Sequence, residues 1–488
     1  MVDQLHGSSG GVLAVHSVRV HSVWLVDIAE RETRSAQARA IVPDLERRGV
    51  SLVATTFVDN AGIARMKSVP IRRLPHLAAW GAGFSPSFDY FRFDDWLAAP
   101  ATGEGPVGDL RILPDLHRVV PLVAQPGWAW TPGDRLDQGG EPHPGCSRAA
   151  LRRAVDALAA GQLEVRAAIE LEWVIGRDSD DLVPGVTGPA YGLARLAGAS
   201  DYAREVVDAL LAQKVEVEQF HPEYAAGQFE LSVAAESPVD AADTSVLVRA
   251  TIRAVGLRHG FRTSFSPKVA ADGVGNGGHV HLSLWREDRN LMSGGAPGGG
   301  SEAGTSMAAE GARFTAGILN RLPALLTLGA PSVASYLRLI PSHWAGAYAC
   351  WGPENREAAL RTIAGSTGSG DWSANLEVKC VDLTANPYLL LAGLLAAGSA
   401  GLADGAVLPP PVVVDPAALP PEELEHRGIR RLPASLGESV QAFAVDEVLR
   451  TALGPSLADA VVAVRSSEIE RFAGATPAEI AAATRWVH

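Results

Sequence analysis

The alternation of apolar and polar positions predicts a short helix and a β-hairpin near the start of the chain. Residues 38–50, "ARAIVPDLERRGV", place apolar side chains at helical spacing. Residues 51–71, "SLVATTFVDNAGIARMKSVPI", contain two β-rich runs joined by the turn signal Asp-Asn-Ala-Gly. Residues 1–37 lack the basic start and cleavage site of a signal peptide, and we expect them to form a poorly ordered extension.

Helical patterns and short strands alternate in the second part of the chain. Helical spacing recurs in "SRAALRRAVDALAAG", "DYAREVVDALLAQ" and "TSVLVRATIRAVGLRHG", and strand-like runs include "VRAAIELEWVIG", "VEVEQFH" and "HVHLSLW". This order predicts a sheet that carries helices. The Pro- and Gly-rich segment "RLDQGGEPHPG" predicts a domain boundary near residues 137–146, so we expect one domain over residues 38–140 and another over 145–488.

Composition and charge restrict the classes of partner. A hydrophobic content of 47% is enough for a substantial core, and a net charge of -13 argues against nucleic acid or an anionic membrane as partner. No apolar run approaches the ~20 residues that span a bilayer. Cys146, Cys350 and Cys380 lie far apart, without the spacing of a zinc site or a disulfide framework. We therefore expect reduced cysteines, a cytoplasmic location, and neither a nucleic-acid nor a membrane partner.

Acidic and imidazole side chains recur at strand spacing. In "AAIELEWVIG", Glu170 and Glu172 would point to one face of a strand, where two carboxylates repel unless a cation lies between them. His279 and His281 repeat this spacing after a Gly-rich approach. Carboxylates combined with imidazole suit Mg²⁺ or Mn²⁺. A single stretch of this kind would equally mark a solvated strand face, so the prediction of a metal site rests on several stretches together.

Two further acidic stretches and an Arg-rich segment extend this set. "HPEYAAGQFELS" and "NLEVKCVD" add Glu223, Glu230 and Glu377. The segment "LRLIPSHWAGAYACWGPENREAALR" adds the cations Arg338, Arg356 and Arg361, which suit phosphate and carboxylate groups. Two metal ions held among such acids would organise phosphoryl transfer.

The order of these motifs resembles that of the glutamine synthetase superfamily, type I branch, from about residue 40 to the end. The resemblance rests on "ELE", "HPEYAAGQFE", "HVHLSLW", "NREAALR" and "LEVKCVDLTANPYLLLAGLLAAG". It implies an α+β fold, with an amino-terminal β-grasp domain and a carboxy-terminal catalytic domain built from an antiparallel sheet and helices. It also implies active sites between adjacent subunits of a homo-oligomer, usually a dodecamer.

The resemblance also implies roles for individual residues. One Mg²⁺ or Mn²⁺ ion would be held by Glu172, Glu223 and Glu230, and another by Glu170, His279 and Glu377, with two or three ions per active site. Arg338, Arg356 and Arg361 would face L-glutamate and the transferring phosphoryl group, and His281 and Ser283 would contact the nucleotide, ATP. The implied chemistry is phosphorylation of the glutamate side chain followed by attack of an amine.

Two departures from the family pattern concern the amine. Members that use ammonia carry a glutamate shortly after an Arg-Leu-x-Pro segment, where this chain has Trp344, and an aspartate from the neighbouring subunit is replaced by Ser85. A small cation is held by compact negative charge, so both replacements predict weak ammonium binding. Together with Phe84 and Phe88, Trp344 would instead suit an amine with a carbon body.

Other departures concern the glutamate and nucleotide contacts. The family's glycine-rich loop for the glutamate backbone is here "VGNGGH", which leaves Gly275 in register and Asn276 as the one amide donor. Asn375 and Lys379 replace an arginine pair that flanks the last metal glutamate. Lysine cannot reproduce the bidentate fork of a guanidinium group, and we expect Lys379 to contact the substrate differently.

The resulting hypothesis is ATP-dependent ligation of the L-glutamate γ-carboxylate to an organic amine through γ-glutamyl phosphate. A small monoamine such as ethanolamine is favoured, because Trp344 reduces the space and removes the acid that a polycation would bind. The alternatives are a γ-glutamylpolyamine synthetase, an ammonia-dependent glutamine synthetase and a non-catalytic structural or regulatory homologue. Asp89, His343 and Glu354 are candidates for the group that takes a proton from the amine.

Overall fold

The computed structural model describes residues 26–99, 107–177, 182–294 and 307–488. Its helices are α1 Ile28–Arg47, α2 Leu74–Trp80, α3 Ser147–Ala160, α4 Leu193–Ala212, α5 Pro238–Arg258, α6 Ala309–Gly329, α7 Ser335–Arg338, α8 Gly370–Ser373, α9 Pro387–Ala403, α10 Pro421–His426, α11 Leu436–Ala444, α12 Glu447–Leu453, α13 Pro455–Arg471 and α14 Pro477–Thr484. Its strands are β1 Leu52–Val58, β2 Ala64–Pro70, β3 Ala82–Phe84, β4 Leu110–Pro114, β5 Val120–Pro121, β6 Trp128–Leu136, β7 Glu164–Ile169, β8 Leu171–Arg177, β9 Val217–Pro222, β10 Gln228–Val233, β11 Phe261–Ser264, β12 Val280–Arg286, β13 Arg289–Asn290, β14 Tyr348–Pro353, β15 Ala358–Ile363, β16 Asn375–Val378 and β17 Arg430–Arg431.

The first sheet contains six strands and includes the predicted hairpin. Its order is β2-β1-β6-β4-β3, with β5 paired to β6, and only the β1–β6 pair is parallel. Strands β1 and β2 pair from Leu52 opposite Pro70 to Val58 opposite Ala64. The turn between them closes because Asp59 Oδ1 accepts hydrogen bonds from the N–H groups of Ala61 and Ile63, both at 2.9 Å. The hairpin prediction is confirmed.

Helix α1 begins ten residues earlier than the apolar pattern predicts. Asp27 caps it by accepting a hydrogen bond from Glu30 N at 2.8 Å. The early turns dock through arginines, since Arg31 donates to Ala79 O at 2.7 Å and Arg34 to Pro114 O at 2.6 Å. Because the first turns of α1 pack through arginine side chains, their sequence has no apolar stripe. The apolar pattern therefore does not predict the true start of the helix. The expected disorder of residues 1–37 is therefore wrong for 28–37, and residues 1–25 lie outside the described residues.

Two further sheets build the rest of the molecule and confirm the α+β class. One is antiparallel, with four strands in the order β11-β8-β10-β9. The other has seven strands in the order β13-β12-β16-β15-β14-β17, with β7 paired to β12, and its pairs are antiparallel apart from β14–β15. Helices α6 and α9 pack closely in the same core, because Gly317 lies directly against Gly401.

Residues 137–146 connect β6 to α3 without forming a helix or strand, and the division into domains there stays a prediction. The three cysteines are buried free thiols, as expected. Within the ranges that the structure describes, none of the helices combines the length and apolar character that crossing a membrane requires.

Candidate active site

A cavity of about 1050 Å³ opens where strands of the second and third sheets meet. Most of the predicted acids, imidazoles and arginines lie on its wall. The lining residues are Glu170, Glu172, Tyr191, Gln219, His221, Glu223, Tyr224, Gln228, Glu230, Lys268, Val274, Gly275, His279, His281, Arg338, Ile340, Ser342, His343, Trp344, Arg356, Arg361, Glu377 and Lys379. The convergence of so many ionisable groups on one concave surface identifies the candidate active site.

Glu170 and Glu172 reach this cavity by a different route from the predicted one. The sequence pattern predicts a single strand, whereas the chain leaves the third sheet at Ile169 and enters the second at Leu171. Glu170 lies at this crossing and donates its N–H to His279 O at 2.9 Å. Glu172 lies on β8 opposite Glu230 of β10. The two carboxylates therefore reach the same cavity because the chain passes from one sheet to the other at Glu170. They do not lie on the same face of a single strand.

The carboxylates and imidazoles form three groups in which the ligand atoms lie within 4.8 Å of one another. These groups are Glu170, Glu172 and His279; Glu170, His281 and Glu377; and His221, Glu223 and Glu230. His279 Nδ1 lies 2.8 Å from Glu170 Oε1 and 3.3 Å from Glu377 Oε1. All six residues predicted to hold metal are thus brought together in one cavity wall.

Two histidines extend this set beyond the prediction. His221 Nε2 lies 3.0 Å from Glu230 Oε1, and His221 was absent from the predicted ligands. His281, predicted as a nucleotide contact, lies with Nε2 3.7 Å from Glu170 Oε2. This nitrogen is buried and has no hydrogen-bond partner among the described residues. An imidazole nitrogen without a partner, aimed at carboxylates, fits a divalent cation as the missing neighbour.

The electrostatics of these acids also fit a cation. Burial raises the pKa of Glu230 to about 7, and the charges of Glu170 and Glu172 add to the increase although His221 opposes it. Burial alone would raise the pKa of Glu377, but Lys379 and the two histidines lower it to about 2. The negative charge of the group formed by His221, Glu223 and Glu230 is therefore not fully balanced by nearby positive charge. The charge of the Glu377 carboxylate, by contrast, is balanced by neighbouring protein side chains.

The three predicted arginines all lie on the cavity wall, but they differ in burial and in hydrogen-bond partners. Arg338 is buried, and it donates to Val381 O at 3.1 Å and to Lys379 O at 3.0 Å. Arg361 donates to Glu377 Oε2 at 3.0 Å and to Glu354 Oε2 at 2.5 Å. Arg356 is exposed and makes no ion pair with any described residue. Arg356 is thus the one of the three whose guanidinium makes no ion pair or hydrogen bond with a described residue.

The glycine-rich loop carries the backbone close to the acids. Gly277 N donates to Glu172 Oε2 at 2.8 Å, and a Cβ at Gly277 would lie 2.9 Å from both Glu172 Oε1 and Arg338 Nη2. Gly275 lines the cavity. Asn276 is buried and donates its side-chain amide to Ser266 O at 2.8 Å. The loop therefore orients Glu172 through its backbone.

Three predicted site residues do not line the cavity: Asn276, whose amide is donated to Ser266 O, and the serines Ser85 and Ser283. Ser85 is partly buried at the start of a short turn in the first sheet, where it accepts a hydrogen bond from Ser87 N. Ser283 is buried on β12, and its hydroxyl accepts the Trp285 indole N–H at 2.8 Å. Lys379 lines the cavity and donates to Glu377 Oε1 at 3.0 Å.

The proposed proton acceptors differ in their surroundings. Asp89 is buried and pairs with Arg135 and with His143, 2.6 Å away, so its charge is already satisfied. Glu354 pairs with Arg361. His343 lines the cavity, with Nδ1 2.8 Å from Pro341 O.

Three aromatic side chains stand partly exposed at the cavity, and only one of them was predicted. Tyr191, Tyr224 and Trp344 are about half exposed, at 53%, 50% and 54%. The Tyr224 and Trp344 rings meet edge to face with centroids 6.2 Å apart. Tyr191 lies outside every motif that the sequence analysis used, whereas Tyr224 lies within "HPEYAAGQFE" and directly follows the predicted ligand Glu223.

Comparisons with known proteins agree with this geometry. Residues 144–482 match the glutamine synthetase catalytic domain family. The chain is 55% identical to γ-glutamylpolyamine synthetase GlnA3 of Streptomyces coelicolor, over 92% of this chain and 96% of that protein. It is 28% identical to glutamate–methylamine ligase of Methyloversatilis universalis, over 84% and 91% of the two lengths. A crystal structure described as a novel glutamine synthase homolog superposes with a TM-score of 0.79 at 32% identity, covering 90% of this chain and 99% of that chain.

Proposed function

The chain belongs to the glutamine synthetase family, and on this premise we propose that it joins the γ-carboxylate of L-glutamate to an organic amine at the expense of ATP. The observation that carries the proposal is Trp344, which lines the cavity where ammonia-using members of the family carry a glutamate. A γ-glutamylamide is then the product, with ADP and phosphate.

The amine that we propose is a polyamine. The similarity to a γ-glutamylpolyamine synthetase covers nearly the whole of both chains, which favours this alternative over ethanolamine. The preference for ethanolamine in the sequence analysis depends on Trp344 filling space, but the Trp344 side chain is half exposed beside a cavity of about 1050 Å³. The partly exposed rings of Tyr191, Tyr224 and Trp344 offer π-faces to ammonium groups and apolar surface to the carbon chain between them.

Enzymes of this family use ATP and divalent metal ions, and the acids of the cavity fit such ions. As the family resemblance implies, we assign one ion to Glu172, Glu223 and Glu230, and another to Glu170, His279 and Glu377. The structure brings these six residues together in three groups that also include His221 and His281. A bound ion supplies positive charge that offsets the charge of the phosphate groups. We propose Mg²⁺ or Mn²⁺ as these ions, with two or three ions per active site.

The cationic residues provide the remaining binding groups. Arg356 has no protein partner among the described residues, and it would bind the transferring phosphoryl group. Arg338 and Lys379 would hold the carboxylate of L-glutamate, and the backbone at Gly275 would face its amino group from the same wall. Arg361 orients Glu377 by direct hydrogen bonding. These groups position the reactants and stabilise charge that develops on the leaving phosphate.

We also propose a homo-oligomer, with a dodecamer as the expected form. Ser85 and Phe88 lie outside the cavity of their own chain, and a neighbouring subunit would bring them to its edge. The convergence of all six proposed metal ligands argues against a non-catalytic homologue, because loss of catalysis removes the need to keep such acids together.

Phosphate release from ATP with L-glutamate and Mg²⁺, measured across ammonium, ethanolamine, isopropylamine, putrescine, spermine and aniline, tests the function. We expect the highest kcat/KM with putrescine or spermine, and mass spectrometry should find the matching γ-glutamylamide. If ammonium is the best substrate, the proposal is wrong and the protein is an ammonia-dependent glutamine synthetase. Ethanolamine as the best substrate would restore the sequence-based preference.

A further inference from the structure

Glu357 lies beside the wall that Trp344 forms. The Trp344 main-chain N–H donates a hydrogen bond to Glu357 Oε1 at 2.8 Å. Glu357 Oε2 has no hydrogen-bond partner among the residues that the structure describes, and the side chain is half-buried. Glu357 directly follows Arg356, which lines the cavity. A carboxylate oxygen is therefore left unused next to the residue that replaces the ammonium-binding glutamate.

This carboxylate is held in place by its surroundings. Glu357 N donates to Asn355 Oδ1 at 3.0 Å, and Asn355 Nδ2 donates to Val412 O at 2.8 Å. On the other side, Ser342 and Trp344 both have positive φ, at 58° and 55°, which L-residues rarely adopt. The hydrogen bond from Trp344 N to Glu357 and that from Ser342 Oγ to Asp415 Oδ2, at 2.8 Å, stabilise this turn. The hydrogen bond between Trp344 N and Glu357 Oε1 therefore restrains both the turn and the Glu357 side chain.

Two cationic side chains belong to the same lining. Arg356 and Lys379 line the cavity together with Trp344, and their positive charge would repel a protonated amine. The carboxylates that line the cavity belong to the three groups proposed to hold metal ions, whose charge would offset them. Glu357 is not itself a lining residue, and it is tied to the wall by the hydrogen bond that it accepts from Trp344 N. Burial raises the pKa of the Glu357 carboxyl, and Asp415 adds to the increase, although the Trp344 N–H, His343 and Lys379 oppose it. A carboxylate with a raised pKa accepts a proton more readily.

We propose that Glu357 is the carboxylate of the amine site, whose free oxygen binds the ammonium group of the substrate and accepts a proton from it. The inference rests on the proposed function. The ammonium group, R–NH₃⁺, gives one proton to the Glu357 carboxylate and becomes R–NH₂. Its lone pair attacks the carbonyl carbon of γ-glutamyl phosphate, so that the C–N bond forms. The C–O bond to phosphate breaks, its electron pair leaves with phosphate, and the surplus N–H proton of the new amide passes to the phosphate.

The substitution Glu357→Gln distinguishes binding of the amine by Glu357 from stabilisation of the turn at Trp344. The glutamine carbonyl still accepts the Trp344 N–H, whereas the negative charge is lost. With spermine as the varied substrate and saturating L-glutamate and ATP, we expect KM for the amine to rise at least about tenfold, because a charge-assisted hydrogen bond is removed. KM for L-glutamate and the melting temperature should stay near wild type. Glu425→Gln, at an exposed position without a side-chain partner among the described residues, is the matched control and should behave as wild type.

Comparison with Glu357→Ala decides between the roles. An unchanged amine KM in Glu357→Gln overturns the proposal, and a loss seen only in Glu357→Ala would assign Glu357 to the turn alone. If wild-type protein uses ammonium and no organic amine, the proposed function fails, and the Glu357→Gln comparison is then made with ammonium and still decides the role of Glu357. If Glu357→Ala does not fold, Glu357→Gln is sufficient.

Discussion

Replacing Trp344 by glutamate tests the residue on which the proposed function depends. Trp344→Glu places a carboxylate where ammonia-using members of the family carry one. We expect kcat/KM for ammonium relative to spermine to rise at least about tenfold, because the new charge binds a small cation and the aromatic surface beside Tyr224 is lost. Phosphate release with each amine measures the ratio.

Trp372→Glu is the matched control for this substitution. Trp372 is 69% exposed and does not line the cavity. Its replacement makes the same chemical change away from the amine. An equal shift of the ratio in both variants, or no shift in Trp344→Glu, would contradict the assignment of Trp344 to the amine site.

Glu230→Gln tests the metal assignment without relying on activity. Glu230 lies near His221 and among other acids, so the loss of its charge should weaken the binding of Mn²⁺ at least about tenfold. The rise in melting temperature on adding Mn²⁺, without ATP, reports this binding. Glu218→Gln, an exposed acid of the same strand β9 outside the cavity, should keep the wild-type rise. An undiminished rise in Glu230→Gln would remove this residue from the metal site.

The sequence analysis identified the acidic residues of the cavity but only some of its histidines. Glu170, Glu172 and Glu377 were identified by strand-like spacing and by resemblance, and all three line the cavity. His221 was missed although it begins the quoted motif "HPEYAAGQFE". Its part in the site depends on the pairing of β9 with β10, which sets His221 opposite Glu230. Such register is not visible in one strand read alone.

At the scale of elements, the site depends on where strands end. The segment read as one strand forms β7 and β8, which belong to different sheets. A continuous apolar alternation does not reveal such a crossing, since each half satisfies the same pattern. His279, just before β12, and Glu377, on β16, join the site because β12 pairs with both β7 and β16.

Gly277→Ala tests the close approach of the glycine-rich loop. A Cβ there would meet the His279 ring and lie 2.9 Å from Glu172 Oε1, so both side chains must move. We expect activity to fall about 100-fold, as for a displacement of catalytic groups by about 1 Å. The Mn²⁺-induced rise in melting temperature should also shrink.

Gly273→Ala provides the control within the same loop. A Cβ at Gly273 has its nearest atoms in Ala270 at 3.4 Å, an ordinary contact. Near-wild-type activity is expected for this variant. Equal losses in both variants would indicate that the loop needs backbone freedom rather than space beside Glu172.

At the scale of the whole molecule, ion pairs join the first sheet to helices α3 and α5. Arg148 of α3 lies within 3.1 Å of Asp134 on β6 and 2.7 Å of Asp243 on α5. Arg152 adds a second contact to Asp134 at 2.5 Å. Burial would raise the pKa of Asp134, but the two arginines lower it below its ordinary value.

This network predicts a pH-dependent contribution to stability. A carboxyl with a lowered pKa in the folded state stabilises the protein above its unfolded pKa, about 4, and loses this effect as the pH falls through the folded value. Asp134→Asn should lower the free energy of unfolding by about 2 kcal/mol at pH 7. The difference from wild type should persist at about pH 5 and shrink below about pH 4.

Urea unfolding at one protein concentration measures this difference across pH. Asp156→Asn, an exposed acid on α3 without a side-chain partner among the described residues, should match wild type throughout. A deficit in Asp134→Asn that stays constant down to pH 3 would show that its cause is not the ionised carboxylate.

The sequence by itself determined the α+β class, the hairpin at β1 and β2, and the acids that we propose as metal ligands, because these follow from local periodicity and from motifs that keep their order. Tertiary structure decided the rest. The crossing at Glu170, the placing of His221 opposite Glu230 and the contact of Glu357 with Trp344 each join residues whose relation depends on strand pairing or on the path of a turn. Such relations arise from burial and hydrogen bonding between distant segments, which no local pattern records.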